Sequence, residues 1–429
     1  SKLFLQQPNG TLVDATKKSN IRTHWGAHTA TFFDYDGDGD LDLYIGYYGT
    51  ANFRGPAITL DGRNARPNQL YQNMGRGVFR EVAAAAGVAS RAWTLAVTAV
   101  DINKDGRPDL YLANDFGRDQ LFINRGHGTF KEVARRMKTD DRGSGMNVSV
   151  TDINADGYWD VYVSVIDMFS KNLSFVMPGH QSPFRLDDRV LKTAFYISGN
   201  KMFINQKGRG FSPSERRYFE PGQRGWGWST NFFDYENDGD EDLYLANGWI
   251  PGAPGANQRN QLFLRWKSRY FHVHKTASIS YKGNSRSVAA VDLTGTGRMD
   301  LLLNDYIKGP RIFRNMQPAT NHWLKVRLVG TRSNQRGIGA TIRLFTTSLP
   351  PQMRLVHAGS HYLSQEETTV TFGLGTKARA KRIEVYWPDG YKQVYKGPFK
   401  KRTTITIHED RQPKAAVKGQ RPAPSREQK

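Results

Sequence analysis

Residues 34–45 read DYDGDGDLDLYI. Aspartates occupy every second position from Asp34 to Asp42, and an apolar run with a tyrosine follows directly. A calcium ion binds about six to eight oxygen ligands, which closely spaced carboxylates and backbone carbonyls supply. The stretch therefore predicts a loop that wraps around a calcium ion and continues into a β-strand.

Related stretches recur four times along the chain. DINKDGRPDLYL begins at residue 101, DINADGYWDVYV at 152, DYENDGDEDLYL at 234 and DLTGTGRMDLLL at 292. We call these stretches loops 1 to 5, covering residues 34–45, 101–112, 152–163, 234–245 and 292–303. Internal similarity at this kind of spacing indicates a repeat architecture in which one supersecondary unit recurs.

The ligand positions follow from numbering each loop from its first aspartate. Positions 1, 3, 5 and 9 carry oxygen side chains in loops 1 to 4, and position 6 is glycine in all five. Glycine suits the sharp turn around an ion. Position 7 varies in side chain and is expected to coordinate through its backbone carbonyl. The predicted metal-site residues are Asp34, Asp36, Asp38, Asp40, Asp42, Asp101, Asn103, Asp105, Arg107, Asp109, Asp152, Asn154, Asp156, Tyr158, Asp160, Asp234, Glu236, Asp238, Asp240, Asp242, Asp292 and Asp300.

The fifth loop is poorer in ligands than the other four. Threonines stand at its positions 3 and 5, and only Asp292 and Asp300 are carboxylates. Fewer charged ligands bind calcium more weakly. We therefore expect four well-formed calcium sites and a fifth that is empty or weakly occupied. On this basis the loss of Asp292 should destabilise the protein less than the loss of Asp101 or Asp152.

The segments around the loops predict strands. Position 12 is aliphatic in every loop, whereas an EF-hand needs a glutamate there and helices on both sides. Each loop is followed by two more short strand signals, as in NQLYQNMGRGVFREV at 68–82 and DQLFINRGHGTFKEV at 119–133. Four-stranded sheets repeated around an axis are propeller blades. The predicted fold is all-β: a calcium-loop β-propeller over residues 1–318, with five recognisable blades and up to seven in all.

Two segments carry a family resemblance. The repeat resembles the FG-GAP or VCBS type, especially in RGWGWSTNFFDYENDGDEDLYLANG at 224–248. The segment from residue 321 resembles the ASPIC/UnbV domain in NHWLKVRLVGTRSNQRGIGATIRLF, GSHYLSQ, FGLG and IEVYWPDG. A propeller followed by this domain is the layout of the cartilage acidic protein family. The chain differs from the family's namesake in being basic.

The C-terminal part has a strand pattern of its own. WLKVRLV, ATIRLF, RIEVYW and TTITIHE alternate apolar with polar residues, which predicts sheets with one buried face. Residues 319–408 are therefore expected to form a small β-sandwich-like domain. Residues 409–429 are rich in Lys, Arg, Pro, Gln and Ala without a core-forming pattern, and we expect a basic flexible tail.

Charge points to an acidic partner. The chain has 61 Lys and Arg against 40 Asp and Glu, a formal charge of +21, and about half of the acidic residues lie in the loops. Calcium would cancel that local negative charge and leave a basic surface. Such a surface attracts an acidic protein or an anionic glycan. Nucleic acid is disfavoured, because basic and aromatic residues are not interleaved in one stretch.

Other functions are excluded or left open by the motifs. The absence of cysteine excludes a disulfide framework, a thiolate zinc site and a cysteine nucleophile. No apolar run has the length of a transmembrane helix. HExxH, GxSxG and P-loop motifs are absent, and no catalytic residue is predicted. His272 and His274 lie two apart on a predicted strand and could begin a metal site, but no third ligand is apparent, so surface or packing histidines are favoured. The long inserts at 49–67 and 166–199 are candidate partner surfaces.

Two functional hypotheses follow. The first is a secreted, cell-surface or periplasmic calcium-binding propeller that acts as a binding or scaffolding subunit, within a larger assembly or with an acidic partner. The second is a propeller enzyme of natural-product biosynthesis, of the cyclisation or alkylation type. Resemblance to other calcium-loop propellers that use the propeller mouth as a pocket implies this alternative.

Overall fold

The computed structural model describes residues 2–50, 62–165, 199–219, 225–248, 258–273, 279–359 and 361–411. Within these ranges nearly all regular structure is β, which confirms the predicted class. No helix of the described residues is both long enough and apolar enough to span a membrane.

A hairpin and one turn of helix precede the first acidic loop. β1 (Phe4–Gln6) pairs with β2 (Leu12–Asp14), and α1 (Thr16–Ser19) follows. Two short strands and a helical turn also form the outer side of the first three blades. Residues 4–19 thus repeat the outer half of a blade, although no acidic loop marks them.

Five sheets follow, one for each predicted loop, with antiparallel pairing throughout. The first blade contains β3 (Ala27–Phe33), β4 (Asp42–Tyr47), β5 (Gln69–Asn73), β6 (Phe79–Glu81) and the helical turn α2 (Ala83–Ala86). The second contains β7 (Trp93–Val100), β8 (Asp109–Asp115), β9 (Gln120–Asn124), β10 (Phe130–Glu132) and α3 (Ala134–Met137). The third contains β11 (Gly145–Thr151), β12 (Asp160–Val165), β13 (Lys201–Asn205), β14 (Phe211–Pro213) and α4 (Glu215–Tyr218).

The last two blades complete the series. The fourth contains β15 (Gly227–Phe233), β16 (Asp242–Asn247), β17 (Gln261–Trp266) and β18 (Arg269–His272). The fifth has three strands within the described residues: β19 (Ser285–Val291), β20 (Asp300–Asp305) and β21 (Gly309–Phe313).

The first strands of the blades lie side by side. β3 packs against β7, β7 against β11, β11 against β15, and β15 against β19. Apolar side chains fill the space between adjacent sheets, for example Tyr44 with Leu110 and Tyr162 with Leu243. Removing these apolar side chains from water is favourable, and each sheet has apolar side chains on the face that contacts its neighbour. The hydrophobic effect therefore stabilises the propeller-like succession of sheets.

The C-terminal domain is the predicted sandwich. Its strands are β22 (His322–Val329), β23 (Thr341–Thr346), β24 (Gln352–Leu355), β25 (Val370–Gly375), β26 (Ala380–Tyr386), β27 (Lys392–Lys396) and β28 (Thr403–His408). One sheet has the order β25-β22-β28 and the other β24-β23-β26-β27. The core between them includes Leu324, Ile342, Phe372 and Ile383, all of which are fully buried.

The domain extends slightly past the predicted boundary. Glu409, which the sequence assigns to the tail, is only 3% exposed, and its carboxylate accepts the backbone N–H groups of residues 331–333 at 2.8–3.0 Å. Arg411 binds Asp389 through two hydrogen bonds of 2.7 and 3.0 Å. These contacts fix the chain to the sandwich as far as Arg411. The rest of the predicted tail, 412–429, lies outside the described residues.

Candidate metal centres

Each predicted loop joins the first two strands of its blade, and its first aspartate holds the turn. In loop 1, Asp34 accepts the N–H groups of Gly37 at 2.8 Å, Asp38 at 3.1 Å and Gly39 at 2.9 Å. In the other four loops the first aspartate accepts the N–H of the position-6 glycine at 2.6–2.8 Å. The backbone of each loop is therefore held in a tight turn by side chains that the repeat supplies.

The aspartate at position 9 connects the loop to the third strand. Asp42 accepts the N–H of Tyr35 at 3.0 Å and that of Asn73 at 2.7 Å, and the equivalent aspartates of loops 2 to 4 make the same pair of bonds. In loop 1, carboxylate oxygens of Asp34, Asp36 and Asp42 also lie within 4.8 Å of one another. Position 9 thus has a structural role that spacing alone did not predict, and in loop 1 it still lies within reach of a shared cation.

Two clustered carboxylates of loop 1, Asp34 and Asp42, have raised pKa values in the absence of a cation. Burial, followed by repulsion from Asp38, raises the pKa of Asp34 to about 7. Burial, assisted by the charge of Asp36, raises the pKa of Asp42 to about 8. Both shifts reflect negative charge held together away from water. A divalent cation would remove the repulsion.

Loop 4 contains buried carboxylate oxygens that lack a hydrogen-bond donor. Glu236 Oε2 and Asp240 Oδ1 are buried and have no hydrogen-bond donor among the described residues. A buried acceptor without a donor costs about 1–3 kcal/mol, and more when charged. The donor set of carboxylate, amide and carbonyl oxygens in loops 1 to 4 is the chemistry that calcium prefers. The residues of these four loops therefore fit calcium.

Position 7 contributes no carboxylate in loops 2 and 3. Arg107 donates from Nε to Asn124 O at 3.2 Å, and the Tyr158 ring lies 3.8 Å from Lys104 Nζ. A guanidinium cannot ligate a cation, and coordination through the position-7 backbone carbonyl stays a prediction.

Side-chain hydrogen bonds that were not predicted from the sequence connect each of loops 1 to 4 to the next blade. Asn124, Asn205 and Asn315 donate from Nδ2 to the position-2 carbonyl of the preceding loop, at 2.8, 2.9 and 2.8 Å. In the fourth blade Arg265 makes the equivalent bond to Ile153 O at 2.6 Å. Asparagine recurs at or just after the end of the third strand in these three blades, and this recurrence in the sequence could have indicated the contact. Stability of one loop is thereby coupled to its neighbour.

The C-terminal domain covers the face of the propeller on which the loops lie. The position-6 glycines have φ between +79° and +107°, and a Cβ on four of them would collide with atoms of that domain. The distances from such a Cβ would be 2.4 Å to Arg332 O for Gly39, 2.9 Å to Arg343 Nη2 for Gly157, 2.6 Å to Leu349 Cδ1 for Gly239 and 2.2 Å to Trp323 Cδ1 for Gly297. Glycine therefore serves both the turn and the close approach of the second domain.

Polar contacts add to this interface. Arg354 Nε lies 3.3 Å from a carboxylate oxygen of Glu241 in loop 4, and Gly375 donates its N–H to Asn237 O at 2.8 Å. The interface thus joins basic and backbone groups of the sandwich to the acidic loops.

The segment 357–367 of the C-terminal domain contacts both the first and the fifth blade. Phe32 on β3 donates its N–H to Ala358 O at 3.1 Å, and Ser364 Oγ donates to Val288 O on β19 at 3.0 Å. Glu366 accepts the N–H of Ala290 at 3.1 Å. The HYLSQ stretch at 361–365 therefore holds the two domains together, in line with a structural interpretation.

Loop 5 differs from the others because a buried lysine of the C-terminal domain pairs with its first aspartate. In loop 2 the side-chain cation is the loop's own Arg107, which pairs with Asp105 at position 5. Lys325 Nζ, from the C-terminal domain, lies 2.8 Å from Asp292 Oδ2, and the two side chains are 9% and 0% exposed. Burial acts to raise the pKa of Asp292, but the hydrogen bond from Lys325 and those from the loop backbone hold it below its ordinary value. An ammonium thus occupies the first ligand of this loop. Its residues do not fit a divalent cation.

Two other sequence hypotheses have mixed outcomes. Trp226 and Trp228 are buried and stacked at 6.1 Å between ring centroids, which fits packing within the propeller. His274 lies outside the described residues, so the interpretation of His272 and His274 as surface or packing histidines is not tested. Most of the two long inserts, 51–61 and 166–198, also lies outside them.

Comparison with known proteins agrees with this architecture. A model described as an FG-GAP-like repeat matches residues 1–45, 57–112 and 101–163, and one described as ASPIC and UnbV matches residues 330–414. The chain therefore carries FG-GAP-like repeats followed by an ASPIC and UnbV domain.

The chain is similar to cartilage acidic protein 1 from several vertebrates. The Homo sapiens protein is 27% identical over 369 residues, which cover 83% of this chain and 50% of that protein. The Xenopus tropicalis protein is 25% identical over 382 residues, which cover 87% and 53% respectively. The chain spans about half the length of these curated relatives.

Solved structures are similar only at a low level. The crystal structure of the V. cholerae biofilm matrix protein Bap1 has a TM-score of 0.34 and 11% identity, over 88% of this chain and 60% of that one. The exotype rhamnogalacturonan lyase YesX has a TM-score of 0.36 and 14% identity, over 72% and 56%. Likeness at this level supports no argument about function.

Proposed function

We propose that the chain is an extracellular, calcium-stabilised scaffolding protein in which ions in loops 1 to 4 fix the C-terminal domain onto the propeller. The observation that carries this proposal is the position of the acidic loops, whose carboxylates cluster at the interface between the two domains. Calcium, when bound, supplies the positive charge that these carboxylates lack. Loop 5 does without it, because Lys325 supplies an ammonium there.

A location outside the cytoplasm is part of the proposal. Extracellular modules bind calcium with dissociation constants of about 10⁻⁴–10⁻³ M, so ligand sets of this kind are filled where calcium is abundant. The secreted, cell-surface and periplasmic compartments all meet this condition. Similarity to cartilage acidic protein 1 supports the extracellular choice.

The proposed partner is an acidic protein or an anionic glycan. About half of the 40 acidic residues lie in the loops, whereas 61 Lys and Arg are distributed over the chain. Because the loops face the second domain and would be neutralised by calcium, the outer surface is more basic than the totals indicate. Electrostatic complementarity of this kind acts mainly on association rate and is weakened by salt.

Binding to heparin should depend strongly on salt and partly on the tail. We expect the protein to bind a heparin column at low salt, and a variant ending at Arg411 to elute at lower salt because it loses the basic residues of 412–429. Ending at Arg411 keeps the contacts of Glu409 and Arg411 with the sandwich. Matched controls are an uncharged dextran column and the melting temperature of the truncated chain. Retention that ignores salt and the tail would contradict the proposed partner chemistry.

The enzymatic alternative is favoured by one observation. A cavity of about 510 Å³ lies between the propeller loops and the C-terminal domain, with Lys104, Arg343 and His357 in its lining. Concave sites between domains with a few convergent polar groups are common ligand sites. A small-molecule function at this position is compatible with the scaffolding role, since the two use different surfaces.

A further inference from the structure

The interdomain cavity has apolar walls and a charged side. Its apolar lining includes Phe33, Val100, Trp159, Met353 and Trp387, which come from three blades and the sandwich and are each 3% exposed or less. A volume of about 510 Å³ lies within the usual size of small-molecule sites. The walls can therefore enclose the apolar body of a small ligand.

Two cations converge on the charged side. Arg343 Nη2 and Lys104 Nζ lie 2.9 and 3.1 Å from the point that a Cβ on Gly157 would occupy. Neither side chain forms a salt bridge with a carboxylate of the described residues, and Arg343 Nε is buried without an acceptor among them. An aromatic ring lies beside each cation: the Tyr158 ring is 3.8 Å from Lys104, and the Phe345 ring is 5.2 Å from Arg343. Two like charges held this close favour an anion between them.

The nearest compensating charges are the carboxylates of loops 2 and 3. Under the proposed function these carboxylates are calcium ligands, so their charge is taken up by the ions. The inference therefore rests on the proposed function, because bound calcium leaves the two cations without a counter-charge.

A third polar group lies on the wall of the cavity. His357 Nδ1 is buried and has no hydrogen-bond partner among the described residues. Burial lowers the pKa of His357 to about 4, so its imidazole is neutral near pH 7 and can donate or accept one hydrogen bond to a ligand.

We propose that the cavity binds a small organic oxyanion, with the anionic group between Lys104 and Arg343 and an apolar body against Trp159 and Trp387. A planar guanidinium suits a carboxylate or a phosphate, because it can donate two parallel hydrogen bonds to either. A free inorganic ion would leave the apolar walls without contacts, so an organic anion fits the cavity better.

The test uses fluorine NMR on the full chain in saturating calcium, with 4-fluorobenzoate, 4-fluorophenyl phosphate and uncharged 4-fluorobenzyl alcohol as probes. We expect at least one anion to bind and the alcohol to bind at least tenfold more weakly. Arg343→Met and Lys104→Met should each weaken binding of the anion at least tenfold, whereas Lys131→Met, at an exposed position of β10, should leave binding unchanged. Comparing the two anions shows whether the site prefers carboxylate or phosphate.

The variants are checked by calcium content and by melting temperature in calcium, so that a misfolded sample is recognised. If Arg343→Met alone misfolds, Lys104→Met decides. Failure of both anions to bind a chain that does hold calcium would overturn this inference and leave the proposed function intact. Failure of the chain to hold calcium would overturn the proposed function. Anion binding that neither methionine variant weakens would place the ligand elsewhere and contradict the proposal.

Discussion

Chelation of calcium should lower the melting temperature of the chain by at least several degrees. In the four well-formed loops the first aspartate holds the loop backbone in its turn, and the position-9 aspartate of the same loop is fully buried. An ion that binds only the folded state adds about 2.7 kcal/mol per site when its concentration is 100 times the dissociation constant. Removing it also leaves like charges facing one another at the interface between the domains.

The experiment is a thermal melt in excess EGTA and after calcium is restored, with magnesium as the control ion. Limited proteolysis in the same buffers should show faster cleavage between β21 and β22 without calcium, because the sandwich is then held less firmly on the loops. A melting curve and a cleavage pattern that are both indifferent to EGTA would contradict the proposed role of calcium.

Replacement of Lys325 by methionine should destabilise the protein by about 3–5 kcal/mol, the usual cost of leaving one partner of a buried ion pair unpaired. Asp292 would then be a buried carboxylate, because its side chain is fully buried beside Lys325. Urea unfolding gives the free-energy difference. Lys308→Met is the control, since Lys308 forms no salt bridge among the described residues and directly precedes β21 of the blade that carries Asp292.

The double variant Asp292→Asn with Lys325→Met should recover part of the loss, because it removes both charges together. Asp292→Ala alone should be costly, contrary to the expectation from the sequence that this poor loop matters little. Single variants that unfold like the wild type would show that the pair does not hold the domains together.

The spacing of residues within short stretches predicted the local features of the fold, namely the loops and their flanking strands. The alternating aspartates of loop 1, the glycine at position 6 and the apolar segments after each loop located all five loops and the strands on either side of them. Alternation of apolar residues likewise predicted the sandwich. These features could be read from the sequence because each depends on residues close together in the chain.

Contacts between distant segments could not be predicted in this way. Lys325 resembles any other lysine of a strand, and only the docking of the sandwich brings it to Asp292. The pairing of Arg354 with Glu241 depends on the same docking. The hydrogen bonds from asparagine between blades had a sequence signal, because asparagine recurs near the end of the third strand. Their acceptors could not be predicted, since these depend on how successive sheets pack. The position-9 aspartates were predicted from the sequence as calcium ligands. The hydrogen bonds that they accept from the third strand were not predicted.

The most direct test of the account counts calcium ions per chain by native mass spectrometry, in the wild type and in loop variants. We predict four ions in the wild type, three after Asp101→Asn with Asp105→Asn in loop 2, and four after Asp292→Asn in loop 5. A wild-type chain without calcium, or a count that the loop 2 variant leaves unchanged, would contradict the account.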